Sequence, residues 1–307
     1  MYPAGHGKAY FALACVCVFW GTTYLGIRIA VESFPPAIMV ATRFLLSGSI
    51  LTAIAVARGA HLPRGRELWQ TGLLGFLILG VGNGSLAWAE LNIPSGLASL
   101  FVTISPFWLV GIEALIPGGA KLHGPTIWGM AVGFAGTALL VMPDAHAGYG
   151  ARTMLIGFAI CQLGVASWCS GSIIQRRIAM RAHPVVTGGV QQLAAGLGFI
   201  PIAMLIPNHH IVWNTRGVGA ILYLATFGSI VGYSAYVYAL GKLPVSFFSI
   251  YPYVNAVVAV WLGWLFYREA FGLRETAAML IIFAGVGIVK WQSGKAHRAE
   301  LDVAASD

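Results

Sequence analysis

Few side chains in this chain of 307 residues could do chemistry, and the ionisable ones sit in unusual places. Arg43 stands about two turns into the apolar run that starts at Pro36. A guanidinium there is away from water and must face protein, where it either ties helices together or attracts an anionic group. Arg28 lies at the end of an apolar run and can snorkel to the interface. Glu90 closes the third run, just before Asn92 and Pro94, near an interface where a carboxylate reaches water. It is the leading candidate for an ion-coupling or cation-attracting group, because no Asp or Glu falls in the middle of any run.

Aromatic and amide side chains surround these charges in the sequence. Trp20, Tyr24, Arg43, Asn83, Trp88, Trp168, Tyr233, Tyr236, Tyr251 and Asn255 form the candidate lining of a binding cavity. Asn83 and Asn255 lie well inside apolar segments, so their amides need partners. Singly, each aromatic reads as packing or as part of an interfacial belt. Together they suit an amphipathic small molecule. Pro106 and Pro252 interrupt the fourth and ninth runs, and such prolines act as hinges or as static bends.

Catalytic signatures are missing. The sequence has no HExxH, GxSxG or Walker loop and no Asp-rich metal motif. Cys15, Cys17, Cys161 and Cys169 lie in apolar runs with no zinc-type spacing, and His209-His210 reads as a solvated loop pair. We therefore expect neither cofactor nor metal, and no enzyme.

Elements able to position these groups follow from composition. Apolar residues make up 58% of the chain and charged residues 9%. A soluble domain has about 25% charged residues, so lipid is the expected main solvent. The net charge of +8 does not point to nucleic acid, since the cations sit in short spacers between apolar runs. Cutting at charges, prolines and polar turns predicts ten transmembrane helices. These are about 9–27, 36–57, 68–89, 94–116 and 125–142, then 153–175, 184–206, 217–240, 244–267 and 272–289. The first reads as a retained anchor, and the polar tail 291–307 is expected to be disordered. Lys and Arg concentrate on the side that holds Lys8, Arg58, Arg64, Arg176 and Lys242, which predicts cytoplasmic termini.

The chain also repeats itself. Trp20, Arg28, Pro36 and Gly48 recur as Trp168, Arg176, Pro184 and Gly196, 148 residues on. Trp88 and Pro94 pair with Tyr238 and Pro244 at an offset of 150. Two related halves, 9–142 and 153–290, with five helices each must be threaded in opposite senses. That is the inverted repeat found in secondary transporters, with a site between the halves. Two internal halves make a monomer sufficient to enclose a pore.

At family level the chain resembles the EamA family of the drug/metabolite transporter superfamily, in its YedA-like branch. The resemblance rests on FWGTTYLGIRIAVESFPPAIMVATRFLLSG (19–48), WAELNIPSGLASLFVTISPFW (88–108) and YALGKLPVSFFSIYPYVNAVVAVWLGWLFYREA (238–270), and spans about 11–291. In it Pro252 and Glu269 match the proline and closing glutamate of the second repeat. The resemblance implies an all-α, ten-helix inverted repeat around a central cavity in the cell inner membrane. It also implies alternating access for small metabolites, often export of amino acids or related compounds. Two positions depart from the pattern. Gly118 to His123 offer no glutamate after the fourth helix, and Gln191 stands where the first half has Arg43. Competing readings are a sugar or nucleotide-sugar carrier, a membrane-embedded enzyme, or a scaffold subunit.

Overall fold

A chain solvated by lipid must satisfy its backbone polar groups internally, and helices do so within one segment. A computed structural model describes residues 7–117, 124–141, 150–178, 181–206, 211–240, 242–243, 251–269 and 271–304. Among them every regular element is helical. The helices are α1 (Gly7–Val31), α2 (Pro36–Ala57), α3 (Arg66–Ala89), α4 (Ser95–Leu115) and α5 (Gly124–Val141). They continue as α6 (Ala151–Arg177), α7 (Pro184–Leu205), α8 (Thr215–Leu240), α9 (Tyr251–Tyr267) and α10 (Leu273–Ala304). Seven of the described helices, α1–α4 and α6–α8, are long and apolar enough to cross a membrane.

The starts of these helices are written locally. Pro36 and Pro184 open α2 and α7, where the missing N–H costs nothing. Asn214 caps α8 by accepting the Gly217 N–H at 2.6 Å. At its other end α10 runs on as helix to Ala304, although the sequence predicts disorder from 291. The stretch KAHRAELDVA is built mostly from good helix formers and holds no proline, so the helix has no reason to stop at the polar boundary.

The most extensive helix pairings map onto one another when α1–α5 are exchanged for α6–α10. α2 lies along α7, α4 along α9, and α5 along α10. α1 packs on α8 and α9, as α6 packs on α3 and α4. One close approach between α2 and α7 is reciprocal. A Cβ added at Gly48 would sit 2.7 Å from the Leu193 backbone nitrogen, and one at Gly196 would sit 2.8 Å from that of Leu45. Both pairs are related by the 148-residue offset. In lipid, such close backbone contact between small residues is what associates helices.

The offset also governs an irregularity. α3 widens into a π-helix over Phe76–Val81, and α8 does so over Leu224–Val231. A π segment misaligns main-chain carbonyls with the usual ladder and leaves them open to other donors. Ser167 Oγ donates to the Leu77 carbonyl at 2.8 Å, and Trp20 Nε1 donates to the Gly228 carbonyl at 2.9 Å.

Overpacking the α2–α7 seam should destabilise the protein from either half. We expect Gly48→Ala and Gly196→Ala each to cost about 1–3 kcal/mol in detergent unfolding. Gly72→Ala, whose added Cβ finds its nearest neighbour at 3.6 Å, should stay near wild type.

Candidate functional site

Where α1–α4 and α6–α9 meet, they leave a cavity of about 140 Å³. Trp20, Tyr24, Arg43, Asn83, Trp168, Tyr233, Tyr251, Pro252 and Asn255 all line it, as the sequence predicts. Thr23, Phe44, Ser105, Cys161, Gln192 and Ser229 line it too.

Arg43 is only 4% exposed. Its Nε donates to Ser229 Oγ at 2.9 Å and one terminal nitrogen donates to Asn83 Oδ1 at 3.3 Å. Its guanidinium carbon lies 4.9 Å from the Phe44 ring centroid. All of these partners are neutral. Among the described residues the one ion pair within 4 Å is Arg216–Glu32, at 3.6 Å, on the surface. The Arg43 charge therefore has hydrogen-bond partners but no carboxylate. At the position related to it by repeat, Gln191 donates to Gln175 and accepts from the Tyr233 hydroxyl, both at 3.0 Å. One half thus presents a cation and the other a neutral amide network.

Aromatic faces make up much of the wall. Trp20 meets its repeat mate Trp168 edge to face at 6.1 Å and meets Tyr251 edge-on at 5.5 Å. Asn255 ties α9 to α1. In the amide orientation that satisfies both contacts, its nitrogen donates to the carbonyls of Cys17 at 2.8 Å and Tyr251 at 3.0 Å.

Three of the predicted site residues, Trp88, Tyr236 and Glu90, sit elsewhere, while Pro106 does interrupt α4. Trp88 packs into the apolar core beside Phe199, at 6.2 Å, and does not line the cavity. Tyr236 stands behind the wall, stacked on Trp20 at 5.0 Å. Helix rotation decides which aromatics face inward, and spacing alone misses it. Pro106 opens the second segment of α4, since the helix breaks between Val102 and Ser105. Glu90 is not at a wet interface: its exposure is 0%. Pro252 lines the cavity but stands in the first turn of α9 as described, not at mid-helix. Residues 244–250, which the sequence assigns to that helix, lie outside the described residues.

The sequence reading also missed Ser229 and the role of Glu269. Ser229 holds Arg43 from within the π segment of α8, and a single serine in an apolar run gives no sign of that. Glu269, just past α9, accepts from Ser95 N at 2.9 Å, Ser95 Oγ at 2.8 Å and Gly96 N at 2.9 Å. It thereby caps α4 across the two halves, where a carboxylate also meets the positive end of the helix. At the same end Arg28 donates to the main-chain carbonyl of Glu90. Tyr267 donates to Glu32 at 2.6 Å and accepts from Arg216 at 2.8 Å.

Helices for a lipid solvent and a hollow among eight of them, walled by aromatics and holding a buried cation, mark a polytopic membrane protein with an internal cavity. The profile of the EamA-like transporter family matches residues 7–142 and 155–291. The chain is 36% identical over 281 residues to the uncharacterized inner membrane transporter YedA of Escherichia coli K12, covering 90% of this chain and 88% of YedA. It is 26% identical to a probable terminal-alkyne amino-acid exporter of Streptantibioticus cattleyicolor, covering 83% and 86%. A solved crystal structure shares the fold with a TM-score of 0.66 at 20% identity, over 93% of this chain and 98% of that one. This chain belongs to the EamA family and is a membrane transporter.

The Arg43–Ser229 contact should show as coupling. Ser229→Ala should cost about 1–3 kcal/mol by leaving a buried donor unsatisfied. In an Arg43→Gln background the same change should cost much less, so unfolding of the four proteins should give a coupling energy of about 1–3 kcal/mol.

Proposed function

We propose that the protein exports small amphipathic metabolites, amino acids or related compounds, across the cell inner membrane by alternating access. The observation that carries this reading is the Arg43 guanidinium, buried on the cavity wall with neutral partners only. A buried cation favours a ligand that brings the missing negative charge. The aromatic faces of Trp20, Trp168 and Tyr251 suit the apolar part of the same molecule. The named activity of the Streptantibioticus relative, amino-acid export, agrees with that chemistry.

In this reading all ten helices span the bilayer, the two halves are inverted, and both termini are cytoplasmic. The exchange symmetry of the packing supports it, as do the paired π segments 148 residues apart. Odd-numbered halves that share a fold must enter the membrane from opposite sides. Rocking of one half on the other about the α2–α7 seam would open the cavity alternately to each face. Pro106, at the break in α4, and Pro252, at the start of α9, stand where helices can bend.

Flux of radiolabelled amino acids in proteoliposomes tests the lining. Trp20→Ala, Asn83→Ala and Tyr251→Ala should each lower the initial rate about tenfold or more, because each removes a wall contact worth about 1–3 kcal/mol. Wild-type rates in all three variants would remove the cavity from the transport path.

A further inference from the structure

The transport reading leaves Glu90 without a task, and Glu90 is the least expected side chain in the molecule. It follows the last residue of α3 and is 0% exposed, and neither carboxyl oxygen has a hydrogen-bond partner among the described residues. Arg28 is close by, yet it donates to the main-chain carbonyl of Glu90 and not to its carboxyl group. The Nε of Arg28 is itself buried without a hydrogen-bond partner among the described residues.

A charged carboxylate in a dry site is costly, and a guanidinium within reach would normally pair with it. The observed arrangement is the one expected of a neutral, protonated carboxyl group. Its charged and titratable neighbours come from each element around it. Tyr24 and Arg28 on α1, Cys161 on α6 and Glu269 beyond α9 are near enough to interact with it electrostatically. Glu269 is already engaged by Ser95 and Gly96 at the start of α4. Tyr24 and Cys161 are also cavity wall. Glu90 stands one helical turn beyond Leu86, a cavity-wall residue, at the end where Arg28 holds its main chain.

We propose that the Glu90 carboxyl group is a proton-binding site that couples proton movement to solute exchange in this transporter, a role that rests on the transport reading above. With this end closed, the group holds its proton. When rearrangement admits water to the group from the cavity, the O–H bond breaks and the proton passes to that water. The carboxylate left behind has Arg28 as its available counter-ion. When the other face opens, a hydronium ion at that face gives its proton to the carboxylate and leaves as water, the O–H bond re-forms, and the end can close again over a neutral group. One proton is released and one is taken up per cycle, at opposite faces.

Two measurements test this separately. The first needs no solute: difference infrared spectra of the reconstituted protein across a pH titration. We expect a protonated-carboxyl band that titrates in wild type and in Glu269→Gln but is missing in Glu90→Gln. The absence of that band from wild type, or its survival in Glu90→Gln, would overturn the assignment. The second uses L-leucine and L-phenylalanine as probes in proteoliposomes. Glu90→Gln, which mimics the protonated group, should keep counterflow in the absence of a pH gradient. It should lose at least tenfold of the accumulation driven by an imposed pH gradient. Unchanged pH-driven accumulation would overturn the coupling. If wild type moves neither probe, the transport reading for these solutes fails, and the infrared titration still decides whether Glu90 binds the proton.

Discussion

A guanidinium removed from water has to be compensated by the protein or by something the protein binds. Arg43 receives two hydrogen-bond acceptors and an aromatic face, and no negative charge. Neutral acceptors satisfy its N–H groups but leave the monopole uncancelled. Much else in the molecule serves to hold that arrangement. Ser229 is presented from the π segment of α8, Asn83 from just past that of α3, and Phe44 from the next position on α2. The surrounding wall keeps solvent low and the local field strong, which is why a single charge matters there.

Two-fold repetition supplies the frame, and its local breaking supplies the chemistry. Gly48 and Gly196 let α2 and α7 close on each other reciprocally, and Trp20 meets its own counterpart Trp168 at the cavity. These pairs keep the same chemistry in both halves because they serve the seam. Arg43 and Gln191 hold matching positions and differ in charge, and of the two only Arg43 lines the cavity, so its cation has no repeat counterpart on the wall. At one end, Glu269 of the second half caps α4 of the first, while Glu32, Arg216 and Tyr267 join α1, α8 and α9. The last group is exposed and adds little stability. Glu90 is buried at this end of the molecule, its main-chain carbonyl held by Arg28.

The sequence revealed the frame more readily than the wall. Trp20 with Trp168 and Gly48 with Gly196 disclosed the repeat, because identical residues at one offset survive in an apolar background. Arg43 was legible because a cation inside an apolar run has few bland explanations. Trp88 and Tyr236 were assigned to the cavity and lie off it, since a helix turned by one residue moves a side chain by about 100° and composition carries no record of rotation. The π segments at Phe76 and Leu224 were invisible for the same reason, and with them the placement of Ser229. Glu90 was placed in water because it follows the last apolar residue of α3. It is buried because Arg28 and the start of α4 close over that end, a tertiary event with no local signature.

The uncancelled charge of Arg43 is open to direct measurement. Calorimetric titration of the purified protein with a panel of amino acids, each against its own amide, changes the ligand only at the carboxylate. The account predicts that at least one acid binds about tenfold or more tightly than its amide, the worth of one charge-assisted contact. It also predicts that Arg43→Gln removes that difference while leaving the amide's affinity in place. An acid that binds no better than its amide across the panel, or a preference that survives Arg43→Gln, would contradict it.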